Sequence, residues 1–199
     1  MNEYNLSETA IQENQGGEIW EHFQQQAELK CYPPETIISQ QADAFRNIYL
    51  IERGIVKFMR SDESGNEMII EIRSSGDLIG AAGAICQNLA PVSAVTLTEC
   101  HIYHLPVETF LAFLEANNAF LRATALAISQ QYYAQMTRLA RLGTASARSN
   151  LAYLMLRFVN ELDWDNGHEV RLHLPYNRTT IAKLLAVNPS YLGGLPALN

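Results

Sequence analysis

The sequence predicts a mixed α+β fold: an antiparallel β-barrel or jelly roll, then a long helix, then a small helical module. Three observations carry this. Six short runs rich in β-branched and aromatic residues crowd into residues 37–105. Between Pro106 and Gly143 there is neither proline nor glycine. Beyond Gly143 the period returns to that of helices, interrupted by a tight turn at Val187-Asn188-Pro189.

The strand runs are Ile37-Ile38, Ile48–Ile51, Ile55–Met59, Met68–Ile72, Ala94–Leu97 and His101–Leu105. Further strand character begins near Cys31, after a polar start and a short helix expected around Glu18–Gln26. Arg53-Gly54, Ser64-Gly65-Asn66 and Ser75-Gly76-Asp77 separate the strands with turn chemistry. Many short strands at near-regular spacing point to a barrel or sandwich.

Pro106 stands where a helix starts, Glu108 falls in its first turn and Gly143 follows its end. Two heptad positions can be followed through it. One reads Leu111, Asn118, Ala125, Tyr132, Leu139; the other reads Leu114, Leu121, Ile128, Gln135, Leu142. Such a helix is roughly 50 Å long. A seam of that length suits a second copy of the chain, with an ordinary core helix as the alternative. Leu151, Leu154, Met155, Phe158 and Leu162 then share a face of a helix over residues 146–162. A short strand is expected over residues 170–174. From Pro175 to Leu192 a short helix, a tight turn and a new helix start make a helix-turn-helix outline. The expected domains are 1–106, 107–142 and 143–199.

The chain has 199 residues, of which 48% are hydrophobic, enough for a packed core. No 18-residue apolar run is free of polar residues, and the start is acidic and polar, so neither a membrane span nor a secretory leader is expected. Three widely spaced cysteines argue for a reducing, cytoplasmic setting. The net charge of -7 is uneven: residues 1–106 hold 15 acids and 6 bases, while residues 148–199 hold 4 acids and 5 bases.

A barrel, a long helix and a helix-turn-helix in this order resemble the Crp/Fnr family of bacterial transcription regulators. The resemblance rests on residues 48–57, on Ser64-Gly65-Asn66-Glu67, on Ser75-Gly76-Asp77-Leu78-Ile79-Gly80, and on Leu174-Pro175-Tyr176-Asn177-Arg178-Thr179-Thr180 with the residues up to Leu185. It implies a cyclic-nucleotide-binding-like sensor domain, a homodimer through the long helix, a small winged-helix-type domain and DNA as partner. No cofactor is implied.

Two departures bear on function. Family members that bind cyclic nucleotides follow the pocket glycine with a glutamate and carry an arginine further on for the phosphate. Here Gly80 is followed by Ala81-Ala82-Gly83-Ala84-Ile85, and the later position reads Pro91-Val92-Ser93-Ala94. No lysine or arginine lies between Arg73 and Arg122. A phosphate there has no cation to meet it, so an effector other than cyclic AMP, or a collapsed core, is expected. The expected wall of an effector pocket is Gly80–Ile85 (Ala81, Ala82, Gly83 and Ala84 included) with Val92 and Ser93. Tyr132 and Tyr133 on the long helix are expected to face it. Tyr133 lies nearer the family's ligand-reading position, and Tyr132 falls on the dimer seam.

The second departure is in the DNA reader. Family recognition helices present arginine near their start. Here the segment reads Pro189-Ser190-Tyr191-Leu192-Gly193-Gly194-Leu195-Pro196. The two glycines cost about 2 kcal/mol and the proline about 3 kcal/mol in a helix interior. The expectation is a curtailed, incomplete reader. Arg178 and Lys183, with Arg148 as a further contact, would touch phosphate; only Ser190 and Tyr191 could reach bases.

Metal and catalytic sets are not expected. His101 and His104 point to opposite faces of a strand, and Cys100 lies about 13 Å along the strand from His104. There is no His-x-His, Gly-x-Ser-x-Gly or His-Glu-x-x-His.

Overall fold

The computed structural model describes residues 24–63, 67–159, 178–185 and 187. Eight strands and five helices are formed among them. They are β1 (Glu28–Tyr32), β2 (Ile37–Ser39), β3 (Asn47–Arg53), β4 (Val56–Ser61), β5 (Glu67–Arg73), β6 (Leu78–Ile79), α1 (Ala81–Ile85), β7 (Ser93–Thr96) and β8 (Cys100–Pro106), followed by α2 (Val107–Ala116), α3 (Asn118–Thr144), α4 (Ala147–Val159) and α5 (Arg178–Leu185).

The strands form two antiparallel sheets, ordered β1-β8-β3-β6 and β2-β7-β4-β5. β3 is buried on both faces, which explains its unbroken apolar run. Tyr49 and Ile51 point between the sheets and join Val56, Ile79, Ala94, Cys100 and Ile102. Ile48 and Leu50 point the other way and meet Tyr103, Leu105, Phe110, Leu114 and Phe120. Helices α1, α2 and α3 thus form a third layer on the β1-β8-β3-β6 sheet. Gly54 closes the β3–β4 hairpin at φ 101°, and a Cβ there would lie 2.4 Å from the Glu99 carbonyl oxygen.

One expectation about the backbone is corrected. The helix expected across residues 107–142 is two helices. Asn117 is extended (φ -134°, ψ 104°), and its Oδ1 accepts hydrogen bonds from the backbone N–H of Ala119 (2.9 Å) and Phe120 (3.1 Å). Asparagine is a strong N-cap, so it ends one helix and starts the next without glycine or proline. The break lets Phe110, Leu114 and Phe120 close on each other, with Phe110 and Phe120 edge to face at 5.7 Å.

The break also re-phases the heptad seam. Leu114 is core, and Ile128 packs against the helix–sheet cluster. The exposed apolar residues of α3 are Leu121, Tyr132, Tyr133, Met136 and Leu139. α4 starts where expected; the expected strand at 170–174 and most of the expected helix at 18–26 lie outside the described residues. α5 packs Ile181, Ala182 and Leu185 on Leu151 and against Ile55, Ile72 and Leu97 of the barrel.

Candidate functional site

The expected effector wall is formed by one short helix and the strand after it. Gly80 caps α1 at φ 90°, a conformation that favours glycine. The Ala84 N–H donates to the Gly80 carbonyl at 2.9 Å and the Asn88 N–H to the Gly83 carbonyl at 2.9 Å, which winds the turn tightly. Ala81 and Ala84 are buried in the helix–sheet cluster beneath α3, whereas Ala82 and Ile85 are exposed. Gly83 lies under the Phe45 ring: a Cβ at Gly83 would come within 2.1 Å of it. Nearby, Ser93 Oγ accepts a hydrogen bond from the Gln41 N–H at 2.9 Å. The turn therefore presents small apolar groups and backbone, with its serine already engaged.

The structure does not bring Tyr132 and Tyr133 to this wall. They are 65% and 68% exposed on the outer face of α3. The phase of α3 is set after the Asn117 cap by Phe120 and Thr124, both buried. Counting on from these, Ile128, Gln131 and Arg138 face inward. Gln131 Nε2 donates to the Leu78 carbonyl at 3.1 Å, two residues before Gly80. Gln131 is the inward polar residue that heptad reading passed over. A cavity of about 60 Å³ opens farther along, where Glu71, Gln135, Arg138, Arg141, Tyr153 and Leu184 meet. An open groove of about 500 Å³ runs beside Ile38, Asp43, Phe45 and Tyr49. Neither is lined by any of the ten residues expected in the pocket.

Of the residues expected at DNA, Arg178 opens α5, and Ser190 and Tyr191 lie outside the described residues. Lys183 is half-buried, and its Nζ sits 3.1 Å from Glu67 Oε2 on β5. Arg138 Nη2 donates to the Leu184 carbonyl at 2.7 Å and to the Ile69 carbonyl at 3.4 Å. α3 thus clamps α5 to the barrel. Arg148 is exposed near the start of α4.

Two buried groups on β8 were read only as strand residues. His104 Nε2 lies 2.9 Å from Tyr32 Oη, and its ring meets Tyr49 edge to face at 4.8 Å. Burial, with Lys30 adding to it, pushes its pKa down to about 4, so the ring is neutral at pH 7. Burial pushes the Cys100 thiol up, and Cys100 Sγ donates to the Ile55 carbonyl at 3.3 Å. Such a thiol is structural rather than reactive. No helix among the described residues is long and apolar enough to cross a membrane.

Residues 29–117 match the cyclic nucleotide-binding domain family. The cAMP-activated global transcriptional regulator CRP of Escherichia coli is 21% identical over 174 residues, which is 87% of this chain and 82% of that protein. The potassium channel KAT2 of rice is 24% identical over 168 residues; these are 77% of this chain but only 27% of the channel. Among solved structures, the c-di-GMP responsive global regulator CLP of Xanthomonas campestris superposes with a TM-score of 0.71 at 17% identity, covering 89% of this chain and 88% of that one. That likeness establishes the fold.

Proposed function

We propose that this chain, which carries a cyclic nucleotide-binding domain over residues 29–117, is a homodimeric, cytoplasmic, DNA-directed regulator of the Crp/Fnr type whose barrel senses an effector other than cyclic AMP. One observation carries the effector reading. The turn after Gly80 is built of Ala81, Ala82, Gly83 and Ala84, with no acid for a ribose hydroxyl and no cation for a phosphate. Charge-assisted bonds are the strong ones, and a phosphate buried without them is poorly held. CRP is named for cAMP activation and CLP for c-di-GMP response, so the fold does not itself fix the effector. Gly80–Ile85, Val92 and Ser93 would give a small, weakly polar wall, and Gln131 the inward polar group from α3.

Calorimetric titration with cyclic AMP and cyclic GMP tests this. No binding tighter than millimolar is expected; micromolar affinity for either contradicts it.

Coupling to DNA would run through α3. Through Gln131 it meets the Leu78 carbonyl on β6, just before the α1 turn, and two turns later it holds α5 through Arg138. A shift of α3 along the barrel would loosen the Leu184 contact and free the helix-turn-helix. A regulator-derived sensing or protein-interaction module that has lost specific DNA binding is the second reading, favoured by the pairing of Lys183, a phosphate-contact candidate, with Glu67 of its own chain. A competition gel shift separates them. The present reading of Ser190 and Tyr191 as the only base-reaching side chains predicts at most about tenfold preference for any one duplex over random DNA. A thousandfold preference contradicts the curtailed reader.

A further inference from the structure

β1 runs antiparallel beside β8, and the register sets Cys31 opposite His101. Opposed residues place their side chains on one face of the sheet. Glu99 precedes His101 by two positions and shares that face. β3 flanks β8 on the other side, and its pairing shifts register between Ile51 and Arg53, beside Glu52. The outcome is a thiol, an imidazole and a carboxylate whose ligating atoms all lie within 4.8 Å of one another. Along-strand spacing misses this set, because Cys31 comes from a neighbouring strand.

The two ring nitrogens of His101 face different partners. Nε2 lies 3.6 Å from Glu99 Oε1, and Nδ1 lies 3.8 Å from Glu52 Oε2. Among the described residues, neither glutamate has a lysine or arginine in an ion pair. Two carboxylates and a thiol therefore surround one imidazole without a fixed cation.

We propose that Cys31, Glu99 and His101 bind a divalent transition-metal cation, zinc being the best match, on the face of the β1-β8-β3 sheet near the start of β8. Sulfur, imidazole nitrogen and carboxylate oxygen together suit zinc. Magnesium and calcium take oxygen ligands and have no use for the thiol. Cys31 Sγ, Glu99 and His101 Nε2 are the ligands, and water fills the fourth position. Glu52, 3.8 Å from Nδ1, is placed to accept the Nδ1–H once the ring shifts onto the ion and so to orient it, as carboxylates behind metal-bound histidines do. Ligands of a tetrahedral zinc sit roughly 3.5 Å apart, so the set must close by about an ångström. Cys31 and Glu99 are exposed and His101 is half-buried, so rotamer changes supply that movement and the ion enters from solvent.

The full chain, reduced and stripped with chelator, is titrated with zinc against a chromophoric competitor and separately with cobalt(II). One ion per chain at micromolar affinity or tighter is expected, with sulfur-to-cobalt charge-transfer absorption. Cys31→Ser removes that band, and Cys31→Ser and His101→Gln each weaken zinc by about tenfold or more; Glu52→Gln weakens it less. Cys86→Ser, at the other exposed cysteine, changes neither. A readout without substitution accompanies these: zinc slows alkylation of Cys31 and not of Cys86. Absence of micromolar zinc binding, binding undiminished in both variants, or equal alkylation rates with and without zinc would each overturn the proposal.

Discussion

The two long faces of α3 are built for different partners. The inner face carries Phe120, Thr124, Ile128, Gln131 and Arg138. Phe120, Ile128, Gln131 and Arg138 each have a counterpart in the same chain: aromatic rings, the helix–sheet cluster, the Leu78 carbonyl or the Leu184 carbonyl. The outer face carries Leu121, Tyr132, Met136 and Leu139, all between 43% and 65% exposed. An exposed apolar stripe along a helix of about 40 Å marks an interaction surface rather than scatter. The inner face packs within one chain, and the outer face is where the proposed second copy would sit. Hydrophobic periodicity registers both as apolar and does not tell them apart.

The largest difference should appear on truncating the two faces. Phe120→Ala removes a fully buried ring that meets Phe110 and Phe113, and is expected to cost about 3–5 kcal/mol in urea unfolding. A loss under about 1 kcal/mol would mean that the inner face is not core.

pH offers a second handle, because α3 itself contains no histidine. His104, in the barrel, has its folded pKa lowered from 6.5 to about 4. The unfolded chain therefore binds more protons between those values, and stability rises with pH there. The contribution, on the order of 3 kcal/mol, is fully present above about pH 6.5 and is lost as pH falls towards 4. His104→Gln should flatten this slope; a slope identical to the parent's would place the titration elsewhere.

Arg138→Ala is expected to cost about 1.5–3 kcal/mol locally, as a charged donor to the Leu184 and Ile69 carbonyls is lost. Hydrogen exchange should quicken in α5 and not in β3 or β8. Uniform exchange changes would deny the clamp. The smallest effect is expected for Lys183→Gln, since the half-exposed pair with Glu67 is worth about 0–1 kcal/mol.

Much of this architecture was legible. The strands other than β6, the helix start after Pro106 and α5 follow from turn residues, β-branched runs and apolar period, whereas β6 and α1 were not expected. The Asn117 break was not, because the residues around it are good helix formers and the only signal is a side chain that caps well. The phase of α3 was lost with it, and with the phase the difference between Tyr132 and Gln131. At the α1 turn, Gly80 could be read for its positive φ, but the Phe45 ring over Gly83 comes from a loop far away in sequence. The Cys31–His101 pair needed strand register, which local sequence does not encode.

The outer face of α3 is the centre of the account, and sedimentation equilibrium addresses it most directly. The intact chain is expected at about 45 kDa, twice its 22.3 kDa, at micromolar concentration. Leu121→Glu combined with Leu139→Glu, on the exposed stripe, should halve that mass without loss of fold. A parent chain that sediments as a monomer at tens of micromolar, or a variant that stays at the parent's mass, would contradict the pairing of α3 with a second copy.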